Sequence, residues 1–312
     1  MKSLSIIIPC RNEEKFIGEC LDSLIAQDYP KDAMEILVVD GGSEDNTRNI
    51  IQNKGEQFSF IKLLDNPKKF TPFALNIGIR EAKGEIIARA DAHATYGKDY
   101  FARCVTHLSS SGADVVGGVA RAAPAKNTAM AKAIALALSH PFGAAGSRFR
   151  LGSAKPLWVD TVFGGCYKRE VFERVGLFDE RLARSQDMEF STRLRKAGGK
   201  ILLVPDAVSS YYPKETLKAF FSHNIKDGIW AVYPLKFVKT PFRLRHYIPL
   251  LFVLTLPLSM WLYIPVSLLV ALRIASREKD ARLFFAMPLA FAARHLGYGI
   301  GSIMGLVKLL GK

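Results

Sequence analysis

The chain has 312 residues, which is long enough for one large α/β domain or two smaller ones. A hydrophobic share of 49% with 23% charged residues excludes a disordered chain. Lysine and arginine (43) outnumber aspartate and glutamate (29), and the formal net charge of +14 suits an anionic partner, such as anionic lipid or a phosphorylated substrate. The sequence has no RNA-binding signature or zinc-finger spacing, so no nucleic-acid partner is expected.

Strand-like runs alternate with helix-like segments along the first half of the chain. The sequence predicts strands at 6–8, 36–39, 60–64, 86–90 and 115–119, with helices at 13–26, 46–53 and 73–82 between them. Such an order is typical of an α/β fold with a mostly parallel sheet flanked by helices. Further on, the pattern predicts helices at 128–138, 168–175, 186–196 and 217–230, a strand at 201–204 and a mobile loop at 141–156.

The C-terminal part is strongly apolar. Residues 247–271 carry no charge and are long enough to cross a hydrocarbon core of roughly 30 Å. Three prolines within this stretch favour kinks, so an interfacial or re-entrant arrangement is also open, as is a soluble helical core. We expect membrane association, with cationic residues on both sides of the stretch and therefore no clean topology.

The N-terminus and the cysteines indicate the compartment. The apolar run at residues 4–8 is too short for a signal peptide. The four cysteines are scattered, without a CxxC pair, as in proteins of a reducing compartment. We therefore expect a cell-membrane protein whose catalytic domain stays in the cytoplasm.

Polar residues follow two of the predicted strands. The run VVDGGSEDNT (38–47) places Asp40 at a strand end before Gly41, whose lack of a side chain allows a ligand to come close. This pattern fits a nucleotide pocket and fits equally a tight turn with Asp45 or Ser43 as the helix cap. It is neither a GxGxxG motif nor a Walker loop.

The second polar motif is Asp91-Ala92-His93, after the strand predicted at 86–90. Two residues apart in an extended segment, the carboxylate and the imidazole point the same way and could hold one divalent ion. Ligands of open α/β sheets bind at this edge. A strand that merely ends in a polar turn is the alternative.

Together these segments resemble the family 2 inverting glycosyltransferases of GT-A fold, most of all the membrane-anchored ExoA-type enzymes of exopolysaccharide and surface-glycan synthesis. The resemblance covers about residues 3–235 and is carried by SIIIPCRNE (5–13), ILVVDGGSEDNT (36–47), NIGIREAKGE (76–85), Asp91-Ala92-His93, WVD (158–160), VGLFDE (175–180) and QDME (186–189). It implies a GT-A domain at 1–240, with a nucleotide-sugar half at about 1–120 and an acceptor half at about 121–240, followed by a membrane-associated helical region at 241–312.

The resemblance also implies site residues. Asp187 would be the catalytic base, Asp91 and His93 would hold Mn²⁺ or Mg²⁺, and Asp40 would recognise the base of the nucleotide. The nucleotide-sugar pocket would be lined by Pro9, Arg11, Glu13, Asp40, Gly41 and Asp91. His93 stands where many relatives have a second aspartate, and an imidazole suits Mn²⁺ better than Mg²⁺.

Other candidates have plain structural alternatives. His223 could be a further metal ligand or a surface histidine, and Trp230 could stack on an acceptor sugar or anchor the chain at a membrane interface. Gly164 and Gly165 could let the acceptor approach the backbone or simply end a strand. A lipid diphosphate could be bound by Arg148, Arg150 and Lys155, which otherwise form a solvated basic loop.

The sequence thus predicts single-sugar, non-processive transfer, because residues 224–230 lack the Gln and Arg of the QxxRW signature of processive synthases. The expected partners are a nucleoside-diphosphate sugar, with a UDP-sugar as the first expectation, a polyprenyl-linked acceptor and membrane lipids. The alternatives are a transferase that loads a sugar onto polyprenyl phosphate, a nucleotidyltransferase, and a non-catalytic membrane scaffold. Neither the identity of the sugar nor the oligomeric state follows from the sequence.

Overall fold

The computed structural model describes residues 2–144, 146–238 and 242–311. Its strands are β1 Leu4–Cys10, β2 Met34–Asp40, β3 Ile61–Asp65, β4 Ile86–Arg89, β5 Ala94–Tyr96, β6 Val115–Ala122, β7 Leu157–Val159, β8 Cys166–Lys168 and β9 Ile201–Tyr211. Its helices are α1 Ile17–Ile25, α2 Thr47–Gln57, α3 Thr71–Glu81, α4 Tyr100–Ser110, α5 Ala129–Ser139, α6 Pro141–Ala144, α7 Arg148–Leu151, α8 Glu170–Val175, α9 Gln186–Lys196, α10 Leu217–Val232, α11 Ile248–Leu254, α12 Leu256–Glu278 and α13 Arg282–Leu310.

The described chain divides into two compact units. The first contains residues 2–121 and 152–211, and the second contains residues 122–151 and 212–311. The boundary predicted between 240 and 241 falls on residues outside the described ranges, and the predicted domain assignment stays a prediction. Both units are discontinuous in sequence, because residues 122–151 leave the first unit and the chain returns to it at Gly152.

The first unit is built on one mixed sheet. Its strand order is β3-β2-β1-β4-β8-β6-β9-β5, and β7 pairs with β9. The pairs β3–β2, β2–β1 and β1–β4 are parallel, whereas β4–β8, β8–β6, β9–β5 and β9–β7 are antiparallel. The predicted α/β class is confirmed, and strands β1 to β4 form a parallel part of the sheet.

The parallel strands are buried on both faces and are accordingly continuous apolar runs. Ile6, Ile8 and Val38 are inaccessible to solvent. Helix α3 lies close against β1 at Gly78, where an added Cβ would overlap the side chain of Ile7. The carboxyl ends of β1, β2 and β4 therefore meet at one edge of a rigid sheet, which is the edge where ligands bind in such folds.

Three short strands and one helix of the first unit were not predicted from the sequence. Strands β5, β7 and β8 have three residues each, too few for an alternating pattern to be recognised. The start of the helix predicted at 168–175 is strand β8, and the helix proper begins at Glu170. Helix α4 was missed although its buried stripe is regular.

The second unit is helical, and its longest helix packs closely on α10. A Cβ on Gly297 would lie 3.0 Å from the carbonyl oxygen of Phe221, and one on Gly305 would lie 2.7 Å from that of Ile229. Arg294 also donates from Nη1 to Oδ1 of the buried Asn224, at 2.9 Å. The loop predicted at 141–156 contains the short helices α6 and α7.

Two helices of the second unit, α12 and α13, are long and apolar enough to cross a membrane. They differ in exposure: 17% of the apolar 18-residue stretch of α12 is buried within the protein, compared with 44% of the corresponding stretch of α13. The exposed side chains of α12 include Leu258, Trp261 and Leu262, which are 80%, 86% and 72% accessible. A face of this kind on one helix is far more apolar than an ordinary protein surface and suits contact with lipid.

Replacing Leu258, Trp261 and Leu262 together by glutamine should weaken binding to lipid vesicles. Each large apolar side chain transferred into lipid contributes about 1.5–3 kcal/mol, so we expect the partition coefficient to fall at least about a hundredfold. Co-sedimentation of the full chain with vesicles measures this. The matched control is Trp158→Gln, an exposed tryptophan of the first unit, which should partition like the wild type. Equal sedimentation of the triple variant and the wild type would contradict a lipid-facing α12.

Candidate active site

Two loops at the carboxyl edge of the sheet are joined by hydrogen bonds. The backbone amides of Asn12 and Glu13 donate to Ser43 Oγ and Thr47 Oγ1, both at 2.8 Å. The amide of Glu44 donates to Oδ1 of Asn12 at 2.9 Å, and Asn12 has the positive φ of 55° that asparagine tolerates well. The loops after β1 and β2 therefore form one ordered polar rim.

Asp40, the last residue of β2, holds this rim together from below. Its carboxylate is inaccessible to solvent and accepts hydrogen bonds from the amides of Gly42 and Ser43, from Ser43 Oγ, and from Arg48 Nη1 at 2.7 Å. Burial alone would raise the pKa of Asp40, but the bonds from Ser43 and Arg48 outweigh it and hold the pKa below its ordinary value. The geometry gives Asp40 the work of shaping the loop, and its recognition of a nucleotide base stays a prediction.

Asp91 lies just beyond the end of β4, in a buried position. Its side chain is 12% accessible, and Oδ1 accepts a hydrogen bond of 2.6 Å from Arg89 Nη2. The amide of Asp91 donates to Tyr96 Oη at 2.8 Å. Burial would raise the pKa of Asp91, yet Arg89 and His93 together lower it below the ordinary value. Asp91 is therefore a fixed, ionised carboxylate.

Asp187 is brought to the same arginine from a distant part of the sequence. Its Oδ2 lies 3.6 Å from Arg89 Nη1, and its side chain is 38% accessible. It stands in the first turn of α9, where a helix favours negative charge. Ser185, just before this helix, has a φ of 62°, a backbone conformation that costs a non-glycine residue free energy and is found preferentially at functional sites.

His93 faces the loop after β1. Its Nδ1 lies 3.4 Å from Glu13 Oε1, which is the arrangement in which a carboxylate orients an imidazole and its other ring nitrogen, Nε2, coordinates a metal. Asp91 supplies a carboxylate two residues away. An imidazole and a carboxylate fit Mn²⁺.

The residues fit a metal that shares its coordination with a substrate. Among residues 2–144, 146–238 and 242–311, no group of three or more His, Cys, Asp or Glu side chains is arranged to hold a metal on its own. Cations of the Mg²⁺ class bind nucleotides through one or two protein carboxylates, with phosphate oxygens and water completing the shell. Asp91 and His93 match this second kind of site.

The other residues expected in the nucleotide pocket lie around the same rim. Pro9 is half-buried near the end of β1, and the amide of the buried Gly41 donates to the carbonyl of Cys10 at 2.9 Å. Arg11 is exposed and its Nη2 lies 3.9 Å from Glu44 Oε1. These positions are compatible with the predicted pocket.

Gly164 and Gly165 have clear structural work. A Cβ on Gly164 would lie 2.8 Å from the carbonyl oxygen of Arg89, and the φ angles of the two glycines are 66° and 105°. The carbonyl of Gly165 accepts a hydrogen bond from the amide of Arg89 at 3.0 Å. The pair allows the segment before β8 to approach β4 closely, and a part in acceptor binding stays a prediction.

Four of the candidates lie in the second unit. His223 Nε2 is 3.3 Å from Asp227 Oδ2, one helical turn away, and Trp230 packs edge-on against Tyr233. Arg148 and Arg150 belong to α7, and the guanidinium of Arg150 lies over the ring of Phe149. Lys155 is exposed and belongs to the first unit. Their predicted parts in metal, acceptor or diphosphate binding stay predictions.

Two arginines of this site were not predicted from the sequence. Arg89 was visible as a lone cation inside the apolar strand run, a position that an arginine occupies only when it is paired. Arg48 bridges Asp40 and Asp65, with its Nη1 2.7 Å and 2.8 Å from their oxygens. It is the second residue of α2, and nothing in the local pattern distinguishes it from a solvated helix arginine.

Comparison with known proteins gives a consistent result. Residues 5–176 match the family described as Glycosyl transferase family 2. The chain is 31% identical to the dolichyl N-acetyl-alpha-D-glucosaminyl phosphate 3-beta-D-2,3-diacetamido-2,3-dideoxy-beta-D-glucuronosyltransferase of Methanococcus voltae, over 99% of this chain and 98% of that protein. It is also 31% identical to the succinoglycan biosynthesis protein ExoA of Rhizobium meliloti, over 74% of each chain.

Among solved structures, the chain is similar to a mannosyltransferase from Pyrobaculum calidifontis that was solved in complex with GDP-mannose and Mn²⁺. The TM-score is 0.63 at 21% sequence identity, and the match covers 98% of this chain and 87% of that one. This likeness shows the fold, which is the GT-A fold expected from the sequence.

Replacing Asp40 by asparagine should destabilise the first unit at neutral pH, because it weakens the buried bond from Arg48. Hydrogen bonds to charged groups contribute about 1.5–3 kcal/mol, so we expect a loss of this size at pH 7, measured by urea unfolding. Since the folded-state pKa of Asp40 is lowered, its stabilisation is present above the ordinary value of 3.8 and is lost as the pH falls through the folded-state value.

The difference between Asp40→Asn and the wild type should therefore shrink as the pH falls below the ordinary value of 3.8. The control is Asp32→Asn, an exposed aspartate of the same unit, which should change the free energy of unfolding by less than about 0.5 kcal/mol. A deficit for Asp40→Asn that stays constant over this pH range would contradict the assignment.

Proposed function

Since this chain belongs to glycosyl transferase family 2, we propose that it moves one sugar from a nucleoside-diphosphate sugar to a lipid-linked glycan acceptor, with inversion, in exopolysaccharide or surface-glycan synthesis. One observation carries the proposal. Asp91 and Asp187, far apart in sequence, lie on either side of the guanidinium of Arg89 at the carboxyl edge of the parallel strands. One carboxylate is buried and fixed, and the other is partly accessible, as donor binding and base catalysis respectively require.

In this reaction Asp187 is the general base. Its carboxylate takes the proton from the acceptor hydroxyl as that oxygen bonds to the anomeric carbon of the sugar. The bond from that carbon to the diphosphate breaks at the same time, and the nucleoside diphosphate leaves with the electron pair. The accessible position of Asp187, in the first turn of α9, leaves room for a hydroxyl to approach it.

The donor half of the site binds the nucleotide and the diphosphate. The rim formed by the loops after β1 and β2 is proposed to enclose the nucleoside, with Pro9, Arg11, Glu13 and Gly41 around it and Asp40 keeping the loop in shape. Asp91 lies at the diphosphate end of this pocket. The choice between uracil and guanine depends on single hydrogen bonds in such a pocket, and a UDP-sugar remains the first donor to test.

Asp91 and His93 would hold a divalent ion, with Glu13 orienting the imidazole. Such an ion supplies positive charge that stabilises a departing diphosphate. The Mn²⁺ named with the mannosyltransferase of similar fold supports this proposal. The chain's own part is to keep Asp91 ionised and His93 correctly turned.

The acceptor is proposed to be a sugar already linked to a polyprenyl phosphate or diphosphate. The name of the Methanococcus voltae relative describes transfer to dolichyl N-acetylglucosaminyl phosphate, which is such a lipid-linked sugar. The apolar, exposed α12 would bring the protein to the membrane in which the acceptor is embedded. Transfer to a bare polyprenyl phosphate is the competing reaction and needs no general base, because that acceptor is already an anion.

Replacing Asp187 by asparagine should lower kcat about 10²- to 10⁴-fold, the usual contribution of a general base, while the binding of UDP or GDP measured by calorimetry is unchanged. The assay offers UDP-N-acetylglucosamine, UDP-glucuronic acid and GDP-mannose with polyprenyl-diphosphate N-acetylglucosamine or with polyprenyl phosphate. The control is Asp99→Asn, another partly exposed carboxylate paired with an arginine next to a helix start. Near-normal turnover by Asp187→Asn would remove Asp187 from the role of base.

Removing divalent ions with EDTA should abolish transfer, and Mn²⁺ should restore it. His93→Ala should raise the Mn²⁺ concentration needed for half-maximal activity at least about tenfold, in the range typical of altered metal sites. It should also reduce the rise in melting temperature that Mn²⁺ with UDP or GDP gives. The matched control is His107→Ala, a histidine of the same unit whose Nε2 lies 3.9 Å from a carboxylate oxygen of Asp206. Full activity in EDTA would refute the metal requirement.

A further inference from the structure

Arg89 is a cation enclosed within the sheet, at the end of β4. Its Nη2 donates to Asp91 Oδ1 at 2.6 Å, and its Nη1 lies 3.6 Å from Asp187 Oδ2. The side chain is 14% accessible. Burial would lower the pKa of Arg89, but the two carboxylates raise it above its ordinary value, so the guanidinium is charged at every relevant pH.

One nitrogen of the Arg89 guanidinium lacks a hydrogen-bond partner in the described part of the chain, which is unusual for a buried arginine that only stabilises the fold. Its Nε is buried and has no hydrogen-bond partner among the described residues. An unpaired buried donor costs about 1–3 kcal/mol, and replacing a buried ion pair by apolar side chains often leaves stability unchanged. Stability of the fold therefore does not account for Arg89.

The backbone around Arg89 is arranged to keep the guanidinium in place. The amide of Arg89 donates to Gly165, and Gly164 lets the neighbouring segment lie against the carbonyl of Arg89. Asp187, by contrast, contacts Arg89 as an ion pair at 3.6 Å, and Oδ1 of Asp187 accepts a hydrogen bond from the amide of the adjacent Met188 at 2.8 Å. That bond leaves the second oxygen of Asp187 to be directed by the arginine.

We propose that Arg89 is a positioning residue that holds the Asp187 carboxylate at a fixed place relative to Asp91. The inference rests on the proposed function, in which Asp91 belongs to the donor site and Asp187 removes the acceptor proton. The planar guanidinium contacts one carboxylate with each terminal nitrogen. It therefore sets the distance between Asp91, at the donor site, and Asp187, the proposed base. Without it, only the hydrogen bond from the amide of Met188 would orient the Asp187 carboxylate. The carboxylate would then rotate out of line with the acceptor hydroxyl.

The test compares Arg89→Met, Arg89→Lys and a matched control. The control is Arg103→Met, because Arg103 also bridges two carboxylates of the first unit, Asp99 at 2.6 Å and Asp206 at 2.7 Å. We expect Arg89→Met to lower kcat about 30- to 100-fold, the loss that a displacement of about 1 Å produces. The KM for the nucleotide sugar and the calorimetric affinity for UDP or GDP should stay within about twofold, since the backbone of Asp91 is still held by the hydrogen bond from its amide to Tyr96 Oη.

Arg89→Lys keeps the charge without the planar fork, so it tests the inference even if Arg89→Met fails to fold. We expect it to fold like the wild type and to recover part of kcat, leaving a loss of about threefold to tenfold. Wild-type kcat in Arg89→Lys would overturn the inference. So would a loss in Arg89→Met that appears in KM or in nucleotide affinity, or one matched by Arg103→Met.

A crystal structure of Arg89→Met, or of Arg89→Lys where the first variant does not fold, gives a readout that needs no turnover. We expect the Asp187 carboxylate to rotate towards solvent, and an unmoved carboxylate would contradict the inference. Failure of the proposed function gives a different pattern. If Asp187→Asn is as active as the wild type while Arg89→Met is slow, the assignment of the base is wrong. If Asp187→Asn is inactive and Arg89→Met is fully active, only the inference about Arg89 is wrong.

Discussion

Parallel pairing of β1 with β2 and β4 determines where the polar side chains of the donor half lie. Cys10 pairs with Asp40 and Ile7 with Arg89 in these registers, so the chain leaves the strands at one edge. The loops that follow expose backbone amides, which must find acceptors. Ser43, Thr47 and the Asp40 carboxylate supply them. The pocket rim is thus a consequence of satisfying the backbone amides that follow β1 and β2.

The sequence predicted the parts of the fold that repeat a local pattern. The central strands are unbroken apolar runs, and helices such as α9 carry a regular stripe, so their type and order followed from periodicity. The three-residue strands β5, β7 and β8 have no such pattern, because they exist only through pairing with strands remote in sequence. The antiparallel half of the sheet is for this reason invisible to local analysis.

In the candidate site, too, local sequence patterns predicted single residues but not the contacts between segments that are distant in sequence. Asp91 and His93 were noticed because they follow a strand, and Asp187 because its segment resembles a family motif. The link between them could not be predicted, since it depends on the tertiary fold bringing the carboxylate of Asp187 to within 3.6 Å of the Arg89 guanidinium. Asp40, in contrast, stands at a strand end where a ligand contact is expected, but its carboxylate binds Ser43 and Arg48 of the same segment. A motif therefore identifies a place in the fold more reliably than it identifies the direction of a side chain.

The glycines on one side of α13 have a practical consequence. Gly297, Gly301 and Gly305 bring this helix into backbone contact with α10. This face of α10 is therefore covered by α13 and is not available to lipid. Cutting the polypeptide after residue 238 to obtain a more soluble enzyme would expose the backbone of α10 at Ile225 and Ile229. It would also remove Arg294, which donates a hydrogen bond to the buried Asn224. Purification is better served by keeping every helix and supplying detergent for α12.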